Sequence, residues 1–191
     1  MKIVRLISRI TDHDFLGGDP IFIDHVSRQA SRGVLVDNEF NVAMMFMSQL
    51  NLYKLPGGGI EEGEDKQEAF LREIKEETGF DSEILHELGY IEEHKNRNQF
   101  MQLSYCFIAR VLGHSADTML TESEIELGMQ VRWMHLREAI REMEHSAQRC
   151  DDHSTKFMIL RDRILLEEAS KRLDVGEQNS KEAMYGKYKR L

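Results

Sequence analysis

Hydrophobic and polar positions alternate along this chain with two periods, and these periods predict short strands separated by a few helices. The clearest two-residue period is in FMQLSYCFIARVLG, residues 100–113. One face of the predicted strand is apolar and the other is largely polar, with Ile108 as the exception. The apolar face comprises Met101, Leu103, Tyr105, Phe107, Ala109 and Val111, and the opposite face Gln102, Ser104, Cys106 and Arg110. The segment is therefore a half-buried strand or a strand whose polar face has a function.

The remaining pattern predicts one domain over residues 1–173, followed by a polar, flexible tail at 174–191. Two apolar runs within residues 1–31 indicate an N-terminal arm or a hairpin. Pro56 and the three glycines after it are expected to end a strand, because proline lacks a donor and glycine loosens the backbone. Further strands are predicted at 33–36, 41–48, 83–94 and 129–136, and further helices at 136–145 and 156–173.

Residues 65–78 carry the strongest helical pattern. Asp65 and Glu68 have the spacing of a capping box, and Gly79 is placed to end the helix. At about 100° per residue, Glu73 and Glu77 border the apolar stripe instead of facing away from it. Glu76 lies on the same patch.

Two carboxylates that border a core are destabilised by desolvation and by mutual repulsion, and both effects raise their pKa values. A bound cation would reverse both effects. The glycine run 57–59 lets the main chain approach a metal with a carbonyl free to bind it, and hard divalent ions prefer such oxygen ligands. The alternative from the residues alone is a solvated surface on which the acids pair with Arg72 and Lys75.

The composition of the chain indicates which kinds of binding partner are expected and which are not. The formal net charge is −9 and the pI is about 5.4, which argues against a duplex nucleic-acid partner, although the tail ends in basic residues. No stretch is long and apolar enough for a membrane span and no signal peptide is evident, so we expect a cytoplasmic protein without a membrane partner. Cys106 and Cys150 are expected to be reduced thiols, and the histidines show no metal-ligand spacing.

Gly58 is followed by five residues, then by Glu64, seven further residues and the segment REIKEETGF. This spacing resembles the complete signature of the Nudix (MutT-like) hydrolases. The segments LPGGG, RGVLV and RWMHLREAI extend the resemblance outward from residues 58–80. It implies an α/β (mixed α+β) fold, in which a mixed β-sheet is sandwiched between α-helices.

The resemblance also implies roles for residues at matching positions. Glu73, Glu76 and Glu77 would be ligands of Mg²⁺ or Mn²⁺, together with the carbonyl of Gly58. Arg72 would orient a neighbouring carboxylate. Glu64 and Gly79 would have structural roles.

The implied reaction is hydrolysis of a nucleoside diphosphate linked to another moiety, by attack of water on phosphorus. The general base could be Glu73 or one of the acids at 122, 124 and 126, of which we favour Glu124. Those three acids could equally be the solvated side chains of an exposed loop.

Substrate choice lies outside the signature. Arg28 and Arg32 could meet a phosphate or a base, Asn98 could make polar contacts, and Tyr53 could stack on a base; each is also compatible with an ordinary surface residue. We expect a small nucleotide substrate, with a free nucleoside triphosphate, including an oxidised one, ahead of a nucleotide sugar or an ADP-ribose-type compound. A non-catalytic nucleotide-binding module is a further alternative. Because relatives often pair, a homodimer is also expected.

Overall fold

A computed structural model describes residues 4–114 and 116–188, with side chains through residue 173 apart from His114. The strands are β1 (Leu6–Thr11), β2 (Arg28–Val36), β3 (Asn41–Met47), β4 (Leu52–Lys54), β5 (Gly57–Gly59), β6 (Phe80–Lys95), β7 (Phe100–His114) and β8 (Met129–His135). The helices are α1 (His13–Leu16), α2 (Lys66–Thr78), α3 (Glu122–Glu126), α4 (Leu136–Arg149) and α5 (His153–Tyr188).

Within the described residues the strands form one mixed sheet. Its main order is β1-β6-β7-β2-β3-β4, while β5 pairs with β2 and β8 with β3. The pairs β1·β6 and β2·β7 are parallel, and the other pairs are antiparallel. The long β6–β7 ladder and its parallel neighbour β2 form the middle of the sheet.

The sheet has an apolar layer on each face. Leu35 of β2 belongs to a cluster with Phe70 and Ile74 of α2, whereas its neighbour Val34 belongs to a larger cluster with Phe157 and other residues of α5. Neighbouring residues of a strand point to opposite faces, so α2 covers one face and α4 and α5 cover the other. The predicted fold class, a mixed sheet sandwiched between helices, is confirmed.

The prediction that Pro56 and the glycine run end a strand was right for the proline and wrong for the glycines. β4 ends at Lys54, before Pro56, but residues 57–59 form the strand β5, in which Gly57 and Gly58 pair with Arg32 and Ser31 of β2. A side-chain carbon at Gly57 would lie 2.4 Å from the Cβ of Arg32, and Gly57 has a φ of +137°. Glycine therefore makes this close pairing sterically possible.

The hairpin alternative for the N-terminal region was also wrong. β1 pairs with β6, placing Ile10 opposite Glu93, and the second apolar run at 21–26 lies in no strand. β1 therefore extends the edge of the sheet as an N-terminal arm.

The acidic segment at 122–126 forms the short helix α3, capped by Thr121. The tail predicted at 174–191 falls on the end of α5, beyond the described side chains, and its residues 189–191 lie outside the described residues. Its flexibility and the domain boundary at 173 therefore stay predictions.

Cys106 and Cys150 are buried and unpaired, as predicted. None of the helices in the described part of the chain combines the length and apolarity that a bilayer crossing requires.

Candidate active site

The helix α2 carries the acidic residues of the site, and its ends are fixed by local contacts. The carboxylate of Asp65 accepts hydrogen bonds from the backbone N–H groups of Gln67 and Glu68, and the Glu68 side chain accepts one from the backbone of Asp65. Gly79 has the left-handed conformation and its N–H donates to Lys75. The predicted capping box and helix end are confirmed.

Glu77 is more buried than Glu73 and Glu76, with 2% of its surface exposed. One carboxylate oxygen accepts a hydrogen bond from the backbone N–H of Gly57 at 2.9 Å, and the other lies 2.7 Å from Nζ of Lys54. Burial raises the pKa of Glu77 to about 7 even though Lys54 and the Gly57 N–H favour the charged form. This carboxylate is thus held in place but costly to ionise.

Arg72 is the centre of a second set of ion pairs. It forms a two-pronged contact with Glu64, from Nε at 2.8 Å and Nη2 at 3.0 Å, and donates to the carbonyl of Gly59 at 2.9 Å. Its Nη1 donates to Glu73 at 2.9 Å and to Glu76 at 3.0 Å. Burial raises the pKa of Glu73, and Arg72 opposes that increase. Arg72 therefore holds two acids of α2 in one place and is itself anchored by Glu64.

Gly58 lies directly against this cluster. A side-chain carbon at Gly58 would be 2.3 Å from an oxygen of the Glu73 carboxylate. The bare backbone of β5 thus leaves the space that the Glu73 carboxylate occupies.

A cavity of about 470 Å³ opens onto these residues. Apart from Glu61, its charged lining falls into two groups. The first, the carboxylate cluster, comprises Glu73, Glu76, Glu77 and Glu124 with their partners Lys54 and Arg72. The second, the basic lobe, comprises Arg28, Arg32, Lys95 and Arg161.

Glu124 is the member of the predicted external set that lines the cavity. One of its oxygens completes the α3 capping box by accepting from the backbone N–H and the hydroxyl of Thr121, both at 2.9 Å. Its other oxygen lies 3.8 Å from Nζ of Lys54. Glu124 therefore presents one carboxylate oxygen towards the carboxylate cluster.

The structure brings two of the four predicted substrate-binding residues to the cavity, Arg28 and Arg32. Tyr53 instead packs against Phe46 in the core, and its hydroxyl accepts a hydrogen bond from Arg132. Asn98 lies in an exposed 3₁₀ turn between β6 and β7. Substrate contacts by Tyr53 and Asn98 therefore gain no support from their placement.

Sequence reasoning missed a buried polar network below the basic lobe. Glu93 accepts hydrogen bonds from Arg161 at 3.1 Å and from Gln102 at 2.8 Å. Asp162 accepts from Arg161 at 2.8 Å and from the backbone N–H of Leu55 at 2.9 Å. The only advance signal was the polar face predicted for β7, which supplies Gln102 and the neighbouring Ser104.

The oxygen donors of the carboxylate cluster fit a hard divalent cation. Among the described residues, no group of three or more His, Cys, Asp or Glu side chains is arranged as a metal-ligand set. The carboxylates contact Lys54 and Arg72 instead. Glu73, Glu76 and Glu77, with the backbone of Gly58 beside Glu73, offer only oxygen ligands and border a cavity, so Mg²⁺ or Mn²⁺ suits their chemistry.

Comparison with known proteins identifies related sequences. The family model described as NUDIX domain matches residues 27–153. Nudix hydrolase 10 of Arabidopsis thaliana is 33% identical over 82 residues, which cover 43% of this chain and 29% of the plant protein. A putative 8-oxo-dGTP diphosphatase of Bacillus subtilis (strain 168) is 31% identical over 91 residues, covering 47% of this chain and 58% of that protein.

The match with the plant relatives is partial, since the chain spans about a third of their length, for example 33% of Nudix hydrolase 5 from Arabidopsis thaliana. Among solved structures, a NUDIX hydrolase from Nitrosomonas europaea superposes with a TM-score of 0.50 at 19% identity, covering 69% of this chain and 90% of that one. This likeness supports the fold.

Proposed function

Because this chain belongs to the NUDIX family, as the resemblance of residues 58–80 implied, we propose that it is a divalent-metal-dependent pyrophosphohydrolase. Its substrate is a nucleoside diphosphate linked to another moiety. The observation that carries the proposal is the convergence of Glu73, Glu76 and Glu77 on one cavity, beside the bare backbone of β5.

Within that class we propose a free nucleoside triphosphate, including an oxidised one, as the substrate. The Bacillus subtilis relative, named as a putative 8-oxo-dGTP diphosphatase, supports this choice. The basic lobe supports it further, because cationic side chains that line the same cavity suit a ligand with several phosphates.

The residues of the carboxylate cluster have different proposed roles in the reaction. Glu73, Glu76 and Glu77 would hold the metal, which supplies a more acidic bound water and neutralises charge on the phosphate oxygens. Arg72 keeps Glu73 and Glu76 oriented, so that little reorganisation is needed during the reaction. Glu124 is the proposed general base, since one of its oxygens is fixed by Thr121 and the other faces the cluster. Glu73 is the alternative base.

The test is product analysis with Mg²⁺ or Mn²⁺ across nucleoside triphosphates, nucleotide sugars and ADP-ribose. We expect release of pyrophosphate or phosphate from a triphosphate, and a loss of turnover of at least about a hundredfold in Glu77→Gln. Glu83→Gln is the matched control, because Glu83 pairs with Arg110 on the exposed surface.

Other products would reassign the function. If nucleoside monophosphate forms only from a nucleotide sugar or from ADP-ribose, that compound replaces the nucleoside triphosphate as the proposed substrate. Binding of nucleotides without turnover would favour the non-catalytic module. The homodimer and the cytoplasmic location stay predictions.

A further inference from the structure

The basic lobe contains more cations than there are acids buried beneath it. Its four cations, Arg28, Arg32, Lys95 and Arg161, line the cavity. The acids in contact with them or buried beneath them are Glu93 and Asp162, both fully buried. Four positive and two negative charges leave a formal excess of two positive charges in this region.

Arg161 contacts both acids. Its guanidinium bridges Glu93 and Asp162, and Gln102 also donates to the same oxygen of Glu93. The other oxygen of Glu93 has no hydrogen-bond partner within the described residues and lies 3.8 Å from Nζ of Lys95. The internal ion pairs therefore hold Arg161 firmly and Lys95 loosely.

Among the described residues, these ion pairs leave out Arg28 and Arg32, of which Arg32 is the buried one. Arg32 is 5% exposed, and the one hydrogen bond of its side chain within the described part of the chain runs from Nε to the hydroxyl of Ser104 at 3.3 Å. Burial lowers the pKa of Arg32 to about 10 and neighbouring Arg161 adds to that decrease, while Asp162 and Glu93 oppose it without contacting Arg32. A buried guanidinium without a direct ion pair is costly for a folded protein, and its terminal nitrogens remain available to a ligand in the cavity.

One short strand separates Arg32 from the carboxylate cluster. Gly57 of β5 pairs with Arg32 on one side, and its N–H donates to Glu77. Further along β5, Arg28 lies 3.2 Å from the position of a side-chain carbon on Gly59, whose carbonyl accepts from Arg72. If one phosphate of a polyphosphate binds at the carboxylate cluster, the neighbouring phosphates of that ligand would therefore lie near the basic lobe.

We propose that the basic lobe, with Arg32 as its main contact, binds the terminal phosphate of the substrate. The proposal rests on the proposed function and specifies it further. A terminal phosphate with two ionisable oxygens carries about −1.5 to −2 charges at neutral pH, which matches the excess of positive charge in the lobe, and a guanidinium can bind its oxygens in two-pronged fashion. The sugar of a nucleotide sugar carries no such charge. The lobe thereby selects a nucleoside triphosphate over a nucleotide sugar.

The first test is binding of inorganic tripolyphosphate by calorimetry in the presence of a metal chelator. We expect Arg32→Met to weaken binding about tenfold or more, Arg32→Lys to weaken it less, and Arg110→Met, which removes an exposed arginine outside the cavity, to leave it unchanged. Thermal unfolding of the free proteins is the second readout. Arg32→Met should be at least as stable as the wild type, because it removes a buried charge that has no direct ion pair and whose burial outweighs the attraction of Glu93 and Asp162.

If Arg32 has only a structural role, Arg32→Met should be less stable than the wild type and should bind tripolyphosphate with unchanged affinity. That result would overturn the proposal.

The second test varies the substrate. With Mg²⁺, the wild type should have a lower KM for a nucleoside triphosphate than for its γ-methyl ester, and Arg32→Met should remove most of that difference. Hydrolysis with equal KM values for the two compounds in the wild type would overturn the terminal-phosphate site and leave the proposed function standing. Absence of hydrolysis together with Arg32-dependent tripolyphosphate binding would overturn the proposed function and support the anion site alone.

Discussion

Among single residues, Lys54 lies 2.7 Å from Glu77 and 3.8 Å from Glu124, and all three side chains are mostly buried. The sequence predicted that acids beside the core would need a cation, and it suggested a metal. The structure shows that Lys54 and Arg72 already fulfil this need in the protein itself. Lys54 could not be identified in advance, because it lies on β4, 23 residues before Glu77, and no local pattern connects the two.

Replacing Lys54 should therefore change metal binding and stability in opposite directions. In Lys54→Met, Mn²⁺ should bind about tenfold tighter, since a cation that competes for Glu77 is gone. The metal-free variant should lose roughly 2–3 kcal/mol of stability at pH 8, because Glu77 keeps its burial but loses its partner. Calorimetric Mn²⁺ titration and urea unfolding measure the two effects.

The matched control is Lys95→Met, which removes a charge from the same cavity without touching Glu77. Equal gains in Mn²⁺ affinity for the two variants would mean that only the overall charge of the cavity matters, and that Lys54 does not compete directly.

Glu77 should also make the stability of the metal-free protein depend on pH. Its folded pKa of about 7 exceeds the ordinary value of 4.5, so between those two values the folded state binds a proton that the unfolded state has released. Stability should then fall as pH rises from about 4.5 to 7, by about 3 kcal/mol from this group alone, and should level off above pH 7. Urea unfolding with a chelator present measures the slope, which should become smaller in Glu77→Gln. An unchanged slope in that variant would assign the pH dependence to other groups.

Among the elements, α2 and β5 show what local signals can and cannot predict. The ends of α2 followed from Asp65, Glu68 and Gly79, because capping depends on residues within one turn of the helix. Three consecutive glycines carry no such information, since glycine is compatible with turns and strands alike. The pairing of β5 with β2 depends on Arg32 and Ser31, which lie more than twenty residues earlier.

The closeness of β5 to α2 predicts a sharp effect of one methyl group. In Gly58→Ala, the new carbon would overlap the Glu73 carboxylate, so Glu73 must move away from Arg72 and from the cavity. We expect turnover to fall about a hundredfold or more while the circular dichroism spectrum stays unchanged. Gly113→Ala is the control, because among the described residues no atom beyond its chain neighbours lies within 4 Å of the new carbon. Normal turnover in Gly58→Ala would show that Glu73 need not keep this position.

For the molecule as a whole, the basic lobe depends on distant segments that meet only in the folded chain. Arg161 and Asp162 of α5 reach the buried Glu93 of β6, 68 residues from Arg161 in the sequence, and the backbone of Leu55 just after β4. The apolar period of α5 predicted a helix that packs on the sheet, and that period gave no reason to bury an arginine and an aspartate. Periodicity cannot predict such long-range ion pairs, which explains why Lys95 and Arg161 of the basic lobe were not predicted while Arg28 and Arg32 were.

This network should respond to mutation in the opposite way from Arg32. Arg161→Met leaves Glu93 and Asp162 buried without their shared cation, so unfolding free energy should fall by roughly 3–5 kcal/mol, as expected for a broken buried pair. Adding Glu93→Gln to that variant should recover part of the loss, because one of the two buried negative charges is removed while Gln102 and Ser104 remain as hydrogen-bond partners.

Urea unfolding of the two single variants and the double variant gives the coupling energy. Additive losses would show that Arg161 and Glu93 act independently. A coupling of several kcal/mol would show that the contact between Arg161 and Glu93 helps to fix α5 to the sheet.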